Sequence, residues 1–242
     1  MKRTPQSAKM FVGLVALCAL AFLGSSMMRW ESSDLVRFGC FVLVSMAASR
    51  MKVSLPGLNG NMSVNVPFML LAALELSLAE ALIVALVSTL VQCLPKGGKR
   101  MSAVQFIFNI SLIVNAVGFA HIVARQAATF GTMPEKSLIL VLAGFTFFFA
   151  NTAPVAIVMG LAEDVNVFAT WKEIALLTFP FFVLSAGVVS IAATAEPFVG
   201  WQIPLAIFPV MVVVFASYRR YFAQARKLEV VPQRHSSSAA AD

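Results

Sequence analysis

The chain has 242 residues, of which 60% are apolar and only 12% charged. A soluble domain of this size cannot enclose so much apolar surface in one core, and disorder is excluded by the same apolar content, so the class that remains is an integral membrane protein. The net charge of +7 does not argue for nucleic acid, because the basic residues sit in short clusters between apolar runs, where they orient the chain in the bilayer.

Lys2, Arg3 and Lys9 precede a first apolar run at residues 10–28. No Ala-x-Ala cleavage site follows and the run is long enough to span, so it reads as a retained helix and not as a cleaved signal peptide. A second run covers residues 35–48 and ends at Arg50 and Lys52. Residues 55–61, Leu-Pro-Gly-Leu-Asn-Gly-Asn, are a turn-rich stretch that cannot be helical. Asn65 then has the chemistry of an N-cap and Pro67 suits a first turn. The apolar run behind them, residues 66–76, gives ~16 Å of helix against a hydrocarbon core of ~30 Å. It is expected to be a half-helix, or one extended at its start through Met62 and Ser63.

Ser77, Leu78, Ala79 and Glu80 form a capping-box pattern, Ser77 as N-cap and Glu80 three residues on, which starts a new helix ending at residue 94. Glu75 and Glu80 therefore flank a tight helix–helix turn. A basic loop at residues 95–100 leads to a long helix over 102–124 that carries Gln105, Asn109, Asn115 and His121. Residues 137–160 form another, interrupted at residues 151–154, where Pro154 should kink it. Residues 174–194 and 201–218 are the last two. The expected fold is an all-α polytopic bundle of seven or eight hydrophobic segments, one or two of them short. It occupies residues 1–222, with a basic, Ser/Ala-rich disordered tail at 223–242.

With the N-terminus inside and all runs crossing or nearly crossing, the inner segments hold Lys2, Arg3, Lys9, Arg50, Lys52, Lys96, Lys99, Arg100, Lys172, Arg219, Arg220, Arg226, Lys227 and Arg234. The outer segments hold Arg29, Arg37, Arg125 and Lys136. That division, 14 against 4 of the 18 basic residues, places both termini in the cytoplasm. A bacterial inner membrane is the expected location.

Polar groups inside a bilayer are costly, so each is a functional suspect. Gln92 and Gln105 lie at similar depth on either side of the basic loop, with Asn109 one turn deeper. Together they form a candidate ligand pocket opening inward, or else interhelical hydrogen bonds that fix packing. On the outer side Glu75, Glu80, His121 and Arg125 share a depth and form a candidate acid–base cluster. The competing reading gives Glu80 a capping role only, with Glu75 facing water and His121 reaching the interface. Asn151 stands beside a proline, where freed carbonyls can bind ligands. Asn59 and Asn65, in and after the irregular loop, are candidates because irregular backbone beside a short helix is where transporters and receptors place ligands. Ala186, Ser190 and Thr194 form a small-residue stripe expected to mark close helix packing. The three cysteines, Cys18, Cys40 and Cys93, have neither disulfide nor metal-ligand spacing, and the two histidines exclude a histidine-rich site. No nucleophile–base pairing is visible, so no enzyme activity, metal or cofactor is expected.

The stretch from Leu55 to Arg125 combines a Leu-Pro-Gly turn, a short apolar segment, Glu75 to Leu82, Leu90 to Leu94, a basic loop, and Val104 to Asn109. It resembles the N-terminal multi-helix sensory modules that precede diguanylate cyclase or HD-type phosphodiesterase domains in bacteria. It is more distantly similar to the substrate-binding S components of energy-coupling-factor vitamin transporters. The resemblance implies a membrane sensor that binds a small or lipophilic ligand among its helices. No GGDEF or HD domain follows Arg219, so signal output is expected to require a partner docking on the region from Arg219 to Lys227. The alternatives are a transport component, either S-component-like or a small permease, and a structural subunit of a membrane complex.

Overall fold

The structure is a computed structural model that describes residues 5–28, 30, 34–54, 61–95, 101–129 and 136–238. Among them are eight α-helices: α1 (Gln6–Met27), α2 (Leu35–Ser49), α3 (Val66–Glu75), α4 (Leu78–Cys93), α5 (Ala103–Ala127), α6 (Lys136–Glu163), α7 (Val167–Val199) and α8 (Ile203–Ser238). The all-helical membrane architecture read from the sequence is thus present. Helices α1, α5, α6, α7 and the Ile203–Tyr221 part of α8 are long and apolar enough to cross a bilayer, while α2, α3 and α4 are shorter. Their 15, 10 and 16 residues correspond to about 22, 15 and 24 Å.

The sequence reading had no β-structure, yet two strands pair antiparallel: β1 (Lys52–Ser54) and β2 (Asn61–Ser63), with Lys52 opposite Ser63 and Ser54 opposite Asn61. Met62 and Ser63 therefore do not extend α3. Pro67, in the first turn, has no N–H to give to a preceding turn, and its ring would clash with the Ser63 carbonyl if the helix were extended upstream. The preceding residues take strand pairing instead, prolonged by Val64 N–H donating to Met51 C=O at 3.2 Å. Strand and half-helix together cover about 25 Å, close to the length of α4.

Helix α3 lies at the centre. All of Val66, Pro67, Phe68, Met69, Leu70, Leu71, Ala72 and Ala73 are buried, and α2, α4, α5, α6 and α7 pack around it. The cause is in its sequence: a helix that is apolar on every side finds its best solvent in the interior. The outward sides of α1, α6, α7 and α8, by contrast, expose Leu14, Leu17, Val141, Phe145, Leu176, Ile191 and Val213, as a lipid-facing surface requires.

Helix α1 is held on α5. Asn115 Nδ2 donates to Val15 C=O at 2.9 Å, and Phe22 and Phe119 meet edge to face at 5.1 Å. Gly118 makes this approach possible, because a Cβ there would stand 2.9 Å from the Phe22 ring. Helices α6 and α7 join through Phe148 and Phe182, 4.9 Å between centroids, and through Trp171 Nε1 donating to Thr152 Oγ1 at 3.2 Å.

Two further expectations are corrected. Helix α6 is not interrupted at Asn151: it runs unbroken through Pro154, with packing against α7 supporting the turn that lacks one backbone donor. The stripe of Ala186, Ser190 and Thr194 is not a packing seam. Thr194 is exposed, and with Ser190, Ile191, Ala195 and Phe198 it borders an open groove on α7. The backbone of α8 is helical as far as Ser238, into the basic segment that follows Tyr221. Gln224, Ala225, Arg226, Lys227, Leu228 and Glu229 are all good helix formers.

Candidate functional site

The break between α3 and α4 organises the layer read from the sequence as outer. Ser77 caps α4, its Oγ accepting from Glu80 N–H at 3.4 Å, while Glu80 Oε2 accepts from Ser77 N–H at 3.1 Å and Ser77 Oγ–H at 2.9 Å. The capping box expected from the sequence is formed. At the other side of the break α3 ends with unpaired carbonyls, as every helix does. Helix α5 supplies donors for them. His121 Nδ1 donates to Ala73 C=O at 2.9 Å, and Arg125 Nη2 donates to Leu76 C=O at 3.5 Å. A carbonyl can only accept, so Nδ1 carries a proton. Donors and positive charge at a helix C-terminus also complement its macrodipole. His121 is buried.

Glu75 belongs to a different pairing. Its Oε2 accepts from Arg37 Nη2 at 2.7 Å, with both side chains about one-fifth exposed. Arg37 is placed by its own helix start, where Asp34 Oδ1 accepts from Val36 N–H at 3.0 Å and Arg37 N–H at 2.9 Å. The four outer residues are thus brought to one layer, but they form separate partnerships there. Sequence reasoning counted Arg37 only as an outer basic residue. Its partner lies 38 positions away, and no local signal connects them.

The ion pair lies in a cleft. Arg37 and Phe41 of α2, Leu71 and Glu75 of α3, Ala192 of α7, Gly200 in the turn to α8, and Ile203 and Pro204 of α8 line it. It is narrow, with room for about one water molecule. Gly200 has φ of +71°, a conformation that glycine adopts freely. It lets the chain turn from α7 into α8 at the cleft through one 3₁₀ turn, Gly200–Gln202.

On the side read from the sequence as inner the candidates are dispersed. Gln105 is exposed and closes a capping box with Ser102, its Oε1 accepting from Ser102 N–H at 3.2 Å. The Ser-x-x-Gln spacing carried that signal in the sequence, and it went unused. Asn109 Nδ2 donates to Met101 Sδ at 3.3 Å. Gln92 contributes its backbone carbonyl, which accepts from Lys52 Nζ, and Arg50 Nη1 donates to Val91 C=O at 3.3 Å. The chain after α2 thus caps the end of α4. Asn151 is half-buried on α6, and beside Pro154 it is Thr152 whose hydroxyl donates to Phe148 C=O at 2.9 Å. Asn65 starts α3 but makes no side-chain cap; it is 3% exposed. Asn59 lies outside the described residues. Among the described residues, no group of three or more His, Cys, Asp and Glu is placed to hold a metal ion.

Comparison with protein-family models matches residues 9–220 to the family described as MASE9. No curated protein and no solved structure matches the chain.

Proposed function

The chain belongs to the MASE9 family, and from that premise we propose that it senses a small ligand at its outer face without catalysing a reaction. MASE domains are membrane-associated sensory modules, and the multi-pass helical structure accords with that role. The observation that carries the finer reading is the Arg37–Glu75 pair, because it closes the cleft between the α2–α3 layer and the α7–α8 turn.

A guanidinium and a carboxylate facing each other are complementary to a zwitterion. A ligand carrying both a carboxylate and an ammonium group replaces each partner of the ion pair in turn. The closed cleft has no room for such a ligand, so binding requires the α7–α8 turn to withdraw. The ligand then favours the open arrangement by its differential affinity for it. Helix α8 starts at Ile203 in the cleft and runs to the basic residues Arg219 and Arg220. The displacement is carried along it to the inner side, where a partner protein docks. The distribution of basic residues supports termini on the cytoplasmic side of a bacterial inner membrane.

The test is binding of free amino acids and their amine-only and acid-only analogues to the detergent-solubilised chain, by equilibrium dialysis. Saturable binding of a zwitterion that is lost in Arg37→Gln and in Glu75→Gln supports the reading. Absence of binding, or binding unaffected by both substitutions, overturns it. Accumulation of the ligand inside vesicles containing this chain would assign it to transport.

A further inference from the structure

Two sulfur atoms from different parts of the chain meet at one amide. Asn109, on α5, donates from Nδ2 to Met101 Sδ at 3.3 Å, and its side chain is also hydrogen-bonded to Cys93, the last residue of α4. Sulfur is a weak acceptor, so an amide bonded to two sulfurs gains less than one bonded to carbonyl oxygens. The pairing of the amide alone does not account for the arrangement.

Two atoms within ~3.5 Å of one amide nitrogen are within ~7 Å of each other. A sulfur ligand sits ~2.3 Å from its metal ion, so two sulfurs on one ion stand at most ~4.6 Å apart. Met101 supplies the difference. Its side chain is unbranched, with three rotatable bonds, and it is 41% exposed, whereas Cys93 is held at 9%.

A thiolate and a thioether are soft ligands, of the kind that select copper(I). Zinc requires a fourfold set of Cys, His or carboxylate ligands, and among the described residues no group of three is assembled. A soft monovalent ion is satisfied by fewer. Lys52, whose Nζ donates to the Gln92 C=O next to Cys93, acts electrostatically on that sulfur and complements the charge of a thiolate. We propose that Cys93 and Met101, with Asn109 as their shared hydrogen-bond partner, form a binding site for copper(I) where α4 meets the start of α5. Binding forms a copper–sulfur bond at Cys93 and releases the thiol proton to solvent, with no change of oxidation state. The site does not rest on the Arg37–Glu75 cleft.

The experiment is titration of the full chain in detergent, in a Cys18→Ser, Cys40→Ser background, with copper(I) under ascorbate and with bicinchoninate as competing chelator. The expected result is transfer of one equivalent of copper(I) from the chelator to each chain. Cys93→Ser should abolish the transfer. Met101→Leu and Asn109→Ala should each weaken the affinity at least about tenfold, the loss typical when a group supporting a metal is removed. Met101 is exposed, so its replacement leaves the packing of the helices intact. A parent chain that takes no copper(I) from the chelator overturns the proposal. So does transfer that survives Cys93→Ser, and so does an affinity unchanged in Met101→Leu, which would reduce the site to a single thiol.

Discussion

At the scale of single residues, the outer layer shows how side chains finish helices that the backbone cannot finish alone. His121 illustrates the limit of sequence reading. Its depth was legible, and so was its neighbourhood with Glu75 and Glu80. Its partner was not, because Ala73 C=O is a backbone group that sequence cannot single out. His121→Leu leaves that buried carbonyl without its donor, and should cost about 1–3 kcal/mol, read as a lowered Tm in detergent. Glu75 pairs instead with Arg37, at one-fifth exposure. Glu75→Gln alone should destabilise by about 1–3 kcal/mol, a range reduced for partial solvent screening. The double variant Arg37→Met, Glu75→Leu should cost less than the sum of the single losses, which a double-mutant cycle on Tm would measure. An additive result would show that the two side chains do not stabilise one another. Glu80 was the most legible of all, since Ser77-x-x-Glu80 is a local pattern with a local consequence.

At the scale of elements, helix positions were legible wherever apolar runs were long, and the half-helix was legible from its shortfall in length. The β1–β2 pair was not. Three-residue strands carry too few side chains for a period-two pattern, and their partners follow a loop of turn residues. The inner pocket of Gln92, Gln105 and Asn109 rested on a shared depth, but depth fixes only one coordinate. Gln105 turned to cap its own helix at Ser102, a nearer partner than any on α4. The approach of α1 to α5 was equally hidden, as it rests on the absence of a side chain at Gly118. Gly118→Val places two methyl groups against the Phe22 ring and should cost about 1–3 kcal/mol by overpacking. Limited proteolysis at the α1–α2 link should accelerate as α1 loosens. Unaltered cleavage kinetics would mean that α1 is held elsewhere.

At the scale of the whole molecule, charged side chains lie at both ends of α2, Arg37 paired with Glu75 at one and Arg50 on the Val91 carbonyl at the other. The proposed orientation has a direct check. In a chain freed of Cys18, Cys40 and Cys93, a cysteine at Thr132 should react with a membrane-impermeant maleimide in intact cells, and one at Ser237 only after lysis. The reverse pattern would invert the topology. The enclosure of α3 has a further consequence, for the order of assembly. Ribosomes release this chain from its N-terminus, so α3 emerges before α5, α6 and α7, which make up much of its enclosure. Ten residues are too few to partition into a bilayer as an independent span. The segment must therefore wait at the membrane surface or in the insertion machinery until the later helices arrive. Truncation after α4 should leave residues 66–75 open to protease, and synthesis through α7 should close them off. The most deeply enclosed helix of the finished protein would then be among the last to take its place.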